Sequence, residues 1–564
     1  MAPAQPLLAG QLANGLHVLP LLTQCLLNRG LSEPASISAF LQPRLKQLAD
    51  PFLLPDMGVA IERLFLARQR NEPLVVFGDY DVDGVTSTAL LIELLRGLGW
   101  NANFYLPHRV DEGYGLSQDG VENCLKKFPV SLLLAVDCGS TTVDSIAWLR
   151  ARGVDVIVLD HHQVSSPAPA ANALVNPHRA ASGDFTNYCS AGLAFKLAHA
   201  LVKRGREMGL AEMADFDLRP LLDLVALGTI ADIVPLTGEN RILVAAGLER
   251  LNSTRRPGLI ALKQVAQCPE LVGTHEVGYQ LAPRLNAAGR LETAEDALRL
   301  LLARDMDEAL PLAKNLDARN RERQQIERAI AEQAVAAVRA RFQPETDFVI
   351  VEGHESWHVG VVGIVASRVL HQFHRPTIIV GGDGLEWRGS GRSIAGFDLA
   401  SALRECADLL VRHGGHAMAA GLTIAPGKVE AFRTRLNTLA RAALKSEDLQ
   451  AVLRLDEEVG LEEMTLPCLA ALGQLKPTGQ GNPGIQFLSR GLEHQRPLQR
   501  VGSEKQHVKM WVTDGATAHE AVWWGAGNES LPVGRFDLAF APQVNEYNGR
   551  RLIQLSVLDW RQAE

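Results

Sequence analysis

Six aspartates and two histidines stand where short apolar runs stop. Leu74-Val75-Val76-Phe77 leads into Gly78-Asp79-Tyr80-Asp81-Val82-Asp83-Gly84, and Leu132–Val136 leads into Asp137-Cys138-Gly139. Val156–Leu159 leads into Asp160-His161-His162, and Leu224–Ala231 leads into Asp232. Carboxylates crowded together repel one another and resist desolvation. A pair of divalent cations resolves that conflict, and oxygen-rich ligands with one or two imidazoles suit Mn²⁺ or Mg²⁺ better than structural zinc. Two such ions about 3.5–4 Å apart would clamp the attacking water and the leaving oxygen of a phosphodiester.

That chemistry requires elements that bring the aspartates together. The first three runs read as buried parallel strands, the fourth reads as another apolar run of the same kind, and helical stretches such as 86–98 lie between. The alternation predicts a doubly wound α/β domain, whose C-terminal strand edges line one crevice. Alternate residues of an extended segment face one way, so Asp79, Asp81 and Asp83 are expected to address one centre. Gly84 is expected to let the chain turn tightly into the next helix. One aspartate after a strand reads as well as a helix N-cap, and one histidine as a packed side chain. Four acidic sites plus a histidine pair argue against that reading.

The 564 residues predict three or four domains. Residues 1–70 read as a helical extension broken by Pro43, Pro51 and Pro55, ahead of a catalytic unit over 71–310 whose last part, 237–310, is mostly helical. Within 311–345, Asn315 to Phe342 reads as one long charged helix with Ile326, Ile330, Ala334 and Val338 on one face. It is either a solvated helix packed along a stripe or a connector between domains. A second, smaller α/β unit is expected over 346–445, with strands at Phe348–Val351 and Thr377–Val380. Over 446–564 the pattern becomes alternating strands (Val508/Met510/Val512 and Ile553/Leu555/Val557) with turn signals, as in a small β-barrel.

A net charge of −8 gives no compositional support for nucleic-acid binding, so any such path must be a local basic patch. The seven cysteines are scattered without a CxxC pair, which argues against a disulfide framework and a structural zinc site and fits a reducing cytoplasm. Residues 1–10 lack a cationic signal region, and no apolar run reaches membrane-spanning length.

GDYDVDG, the Asp137 strand, Asp160-His161-His162 and the GTIADIVPL segment around Asp232 together resemble the DHH phosphoesterases. Further segments resemble the single-strand exonuclease branch of that family: Pro107-His108-Arg109 with Glu112-Gly113-Tyr114-Gly115-Leu116, and Pro283-Arg284-Leu285-Asn286-Ala287-Ala288-Gly289-Arg290. Arg388–Ser393 and Gly414-Gly415-His416 resemble the DHH-associated domain. Pro477-Thr478-Gly479-Gln480-Gly481-Asn482-Pro483 and Tyr547-Asn548-Gly549 resemble an OB-fold domain, with Thr478 in place of the usual aromatic.

The resemblance implies a single-stranded-DNA exonuclease working 5′ to 3′ and releasing 5′-mononucleotides in DNA recombination and repair. It implies Asp81, Asp83, Asp137, His161 and Asp232 as ligands of two Mn²⁺ or Mg²⁺ ions, with Asp79 at or beside the first. His162 would contact the scissile phosphate or donate a proton. Asp160 would hold a histidine or ligand in place, or else cap its strand end. Arg109, Arg290 and Arg392 would read phosphate through their bidentate forks, with Ser390 and His416 beside them. Trp511, Trp523 and Trp524 are expected in the barrel core. Single-strand-binding protein and a helicase are the partners the resemblance implies. The rivals are a small-substrate DHH enzyme of nanoRNase or pyrophosphatase type, which would share the metal site, and a non-catalytic replication scaffold, which would be expected to have lost ligands.

Overall fold

The computed structural model describes residues 1–563 apart from 109, 110, 114, 180–186, 292, 383 and 548, together with all side chains but those of 290, 291, 528 and 547 among them. Three sheets organise it. The first is wholly parallel: β1 (Leu74–Phe77), β2 (Ala102–Tyr105), β3 (Leu132–Val136), β4 (Asp155–Leu159) and β5 (Ala173–Val175), in the order β2-β1-β3-β4-β5. Strands buried on both faces read as continuous apolar runs. Here alternate residues feed two cores. Leu74, Val76, Leu132 and Leu134 pack under the helices Met57–Gln69, Val82–Gly97 and Ser190–Glu207. Val75, Phe77, Leu133 and Ala135 pack under Gln118–Lys127 and Val143–Arg150. The strand order reverses between β1 and β3, so the loops after these two strands flank the crevice where such sheets take ligands.

Leu224–Ala231, expected as another strand-like run, lies instead in a helix, Leu222–Ala231. It packs against the helices Val82–Gly97, Ser190–Glu207 and Gly238–Asn252 and is buried nearly all round, so no polar face reveals its period. A short apolar run is ambiguous between strand and buried helix for this reason. Gly84 also differs from expectation. The helix starts at Val82, and Gly84 sits in its first turn. A Cβ there would lie 2.6 Å from the Asp79 carbonyl oxygen, so glycine is required by close approach and not by a turn.

The second sheet is mixed: β6 (Ile350–His354), β7 (Thr377–Gly381), β8 (Trp387–Arg392), β9 (Leu410–Gly415) and β10 (Ala419–Ile424), ordered β6-β7-β8-β10-β9. β6 starts two residues later than expected because the Phe348 and Val349 N–H groups donate to Asn437 Oδ1. One 34-residue helix, Met306–Arg339, joins the two α/β units. Ala309, Ala313 and Leu316 sit in the first core, while Ile330, Ala334 and Val338 pack with Val362 and Val365 of the second. It is a connector, anchored at both ends along one apolar stripe.

The third sheet closes on itself. It comprises β11 (Glu457–Glu458), β12 (Phe487–His494), β13 (Gln499–Val501), β14 (His507–Thr513), β15 (Ala518–Trp523), β16 (Phe536–Tyr547) and β17 (Arg550–Gln562). Pairing of β12 with β14 completes the barrel. On β14, Val508, Met510 and Val512 point inward, which leaves Trp511 outside beneath the Arg496 guanidinium. Trp524 is 55% exposed beside His507. Of the three tryptophans expected in the barrel core, only Trp523 packs against it. The residues before 70 divide between two cores. Ala9, Leu12, Leu22 and Ile37 pack with the barrel, and Met57–Ala67 with the first sheet. Among the described residues no helix is long and apolar enough to cross a membrane.

Candidate metal centre

The carboxylates meet at the β1/β3 crevice, though not by strand alternation. Asp79 lies in the loop after β1. Asp81 is the N-cap of Val82–Gly97, its Oδ1 accepting from the N–H groups of Asp83 and Gly84 at 3.0 and 3.1 Å. Asp83 lies inside that helix. The three therefore split between two centres. Asp79, Asp81 and Asp137 form one trio of potential ligands, and Asp83, His161 and Asp232 form another. Asp137, His161 and His162 form a third, and within each trio the ligand atoms lie within 4.8 Å of one another. His161 Nε2 is 3.3 Å from Asp137, 3.6 Å from Asp232 and 3.8 Å from Asp83, so it stands at the junction.

The loop from Asp79 to Asp83 is braced from behind by the helix Ala282–Leu291. Asn286 Oδ1 accepts from Val82 N–H at 3.1 Å, and a Cβ on Gly289 would come within 2.7 Å of the Tyr80 carbonyl. The N-terminus of Ser190–Glu207 supplies positive dipole to the cluster: the Ser190 and Ala191 N–H groups donate to Asp83 at 2.6 and 2.8 Å, and Ser190 Oγ to Asp137 at 3.0 Å. Asp137 itself adopts φ +63°, in the left-handed region that aspartate tolerates.

Asp160 is buried and belongs to none of these trios, but it bonds to a member of the third. It accepts from His162 Nδ1 at 2.8 Å and from Ser140 N–H at 2.9 Å. Asn176 donates to Ser140 Oγ and to the His162 carbonyl, both at 2.8 Å. Sequence reading missed Asn176, Ser190 and Ser140. Asn176 had a signal, because it follows the apolar run Ala173–Val175 just as the aspartates follow theirs.

The electrostatics describe a site short of positive charge. Burial, then Asp81, pushes the Asp83 carboxyl up to about 6. Burial, then Asp83, raises Asp137 well above the carboxylate range and Asp232 to about 9. Burial lowers His161 to about 4, which keeps a neutral imidazole. Its buried Nε2 has no hydrogen-bond partner within the protein. His162 is the opposite case: against the downward push of burial, the Asp160 hydrogen bond and charge raise it to about 9. Asp160, despite burial, is held far below the usual range by His162. A buried imidazole nitrogen left unmet among repelling carboxylates fits a divalent cation.

A second charged locus lies on the mixed sheet. Arg388, Ser390 and Arg392 alternate on one face of β8. Arg392 donates to Ser390 Oγ and to the Gly391 carbonyl, both at 2.8 Å. Burial lowers its pKa, with no carboxylate opposing among the described residues. Ser390 and Arg392 meet the first turn of Val362–Phe373, since a Cβ on Gly363 would be 3.0 Å from Ser390 Oγ and 3.2 Å from Arg392 Nη2. A helix N-terminus beside an unopposed guanidinium has the chemistry to attract an anion. His416 is exposed, just beyond β9. Arg109, Tyr114, Asn548 and the side chain of Arg290 lie outside the described residues.

Comparison with known proteins matches three stretches of the chain to family models. Residues 73–229 match the DHH family N-terminal domain, 346–442 the DHHA1 domain and 455–559 the RecJ OB domain. The chain is 37% identical to the single-stranded-DNA-specific exonuclease RecJ of Dickeya dadantii, covering 92% of both chains. It is 36% identical to that of Bacillus subtilis over 97% of this chain and 69% of the relative. The crystal structure of RecJ from Thermus thermophilus in complex with Mn²⁺ superposes with TM-score 0.85 at 31% identity, covering all of this chain and 79% of that one. The Mg²⁺ complex from the same organism gives TM-score 0.79.

Proposed function

The chain belongs to the RecJ family of single-stranded-DNA-specific exonucleases, and from that premise we propose that it hydrolyses single-stranded DNA at two divalent ions, from the 5′ end, releasing 5′-mononucleotides. The observation that carries the reading is the chain of three ligand trios, two of them sharing His161 and two sharing Asp137. Asp79, Asp81, Asp83, Asp137, His161 and Asp232 would hold Mn²⁺ or Mg²⁺, which supply Lewis-acid activation of water and neutralise charge on the phosphate.

The protein's own groups perform the rest. Asp160 fixes His162 with Nδ1 as donor, so a proton passed to the leaving oxygen travels through Nε2. Ser140 and Asn176 lock Asp160 and the backbone of His162 in that pose. Arg392, Ser390 and the first turn of Val362–Phe373 would bind a phosphate of the strand, with Arg109, Arg290 and His416 as further contacts. Recombination and repair, with a helicase and single-strand-binding protein delivering the strand, complete the reading.

The test is a purified-protein assay on oligonucleotides labelled at either end, with Mn²⁺ or Mg²⁺ and a blunt duplex control. Immediate mononucleotide release from the 5′ label alone, lost in Asp81→Ala, is the expected result. Cleavage of dinucleotides or pyrophosphate without cleavage of the oligonucleotide would move the reading to a small-substrate enzyme.

A further inference from the structure

Asp232 caps the C-terminal end of its helix, and the next residue is unusual. Ile233 adopts φ +60°, a left-handed conformation that a β-branched residue takes only under constraint. The residue is 70% exposed, so its own packing does not impose the conformation. Just downstream, the chain meets the barrel domain. The Leu236 N–H donates to the Gln480 carbonyl at 2.7 Å. Gly479 packs so closely that a Cβ would be 2.8 Å from Leu236 Cδ1. At Gly481, φ +71°, a Cβ would be 3.0 Å from the Pro235 ring. On the catalytic side, Asn240 holds the Pro235 carbonyl at 3.0 Å.

The loop that makes these contacts is itself fixed. Arg241, 2% exposed, donates to the carbonyls of Phe40, Gln474, Leu475, Lys476 and Pro477 and stacks on the Phe40 ring. Asn482 donates to the Leu475 and Pro477 carbonyls at 2.8 Å, and Arg29 grips Asn482 Oδ1 at 2.9 Å.

We propose that the loop 474–483 of the barrel domain is a positioning device for Asp232, so that the barrel completes the metal centre as well as binding nucleic acid. The inference rests on the reading of Asp232 as a metal ligand. Gly479, Gln480, Gly481 and Leu236 are the positioning residues. They act on Asp232 through four residues of chain and touch neither metal nor substrate.

The experiment measures Mn²⁺ binding to the full chain by calorimetry, for wild type, Asp232→Asn, Gly479→Val, Leu236→Ala and the Gly479→Val/Leu236→Ala double variant. Gly479→Val should weaken Mn²⁺ binding ~10-fold, the scale of outer-partner effects on metal sites, and Leu236→Ala should restore most of it by making room. Gly481→Ala, which presses on the rigid Pro235 ring, should weaken binding likewise and decides the matter if Gly479→Val does not fold. Normal Mn²⁺ binding in these glycine variants, with weakened binding only to long single strands, would overturn the inference alone. A wild type that binds no Mn²⁺ would overturn the metal centre and this inference with it.

Discussion

Arg241 and Arg392 are both guanidiniums largely removed from water, and neither has a carboxylate partner among the described residues. They differ in completion. Arg241 has five backbone carbonyls around it, drawn from an N-terminal helix and the barrel loop. Arg392 has one hydroxyl and one carbonyl. A buried donor set that the protein satisfies is structure, and one that it leaves short is an invitation to a ligand. The acidic cluster is the mirror image of Arg392, with surplus negative charge and an imidazole nitrogen unmet.

The largest effect should come from breaking the completed site. Arg241→Met strips five carbonyls of their donor, at ~1–3 kcal/mol for each one not rehydrated. A loss on the order of 5 kcal/mol in urea-unfolding free energy is expected; a loss under ~1 kcal/mol would refute the structural assignment. Arg392→Met should do the reverse, leaving the urea midpoint unchanged while kcat/KM on 5′-phosphorylated oligonucleotides falls ~100-fold. A substrate lacking the 5′-phosphate should feel the substitution less. Arg392→Lys keeps the charge but not the fork, and a smaller loss of ~10-fold is expected.

The smallest effect concerns the acidic cluster. Without metal, the raised Asp83 and Asp232 carboxyls bind more protons folded than unfolded. That stability is present at low pH and is lost as pH rises from about 4 through about 6 for Asp83 and about 9 for Asp232. Mn²⁺ displaces those protons. The difference in Tm between Mn²⁺-loaded and chelated protein should therefore widen from pH 6 to pH 8.5. A constant gap in scanning calorimetry would contradict the charge description.

What the sequence made legible divides in the same way. Apolar runs that end in aspartate pointed to the carboxylates that the structure brings together, because local spacing and side-chain type mark them. Asp232 was found by the right residue in the wrong element, since a helix buried all round carries no period to read. The DxDxD alternation likewise led to a real convergence by a false route: Asp81 and Asp83 converge through the start of a helix. The groups that finish the site were not legible. Ser190 reaches Asp137 across 53 residues, and Arg241 reaches the barrel loop across more than 230. In sequence, Arg241 is an ordinary helical arginine.

The helix Met306–Arg339 has one further consequence. At 1.5 Å per residue its 34 residues make a strut ~50 Å long, rooted in the first core at one end and the second at the other. On the proposed reading, the cutting centre and a grip on the strand's backbone belong to two cores that share this one strut, so the strand is held at a set bearing to the metal crevice whatever bases pass through it.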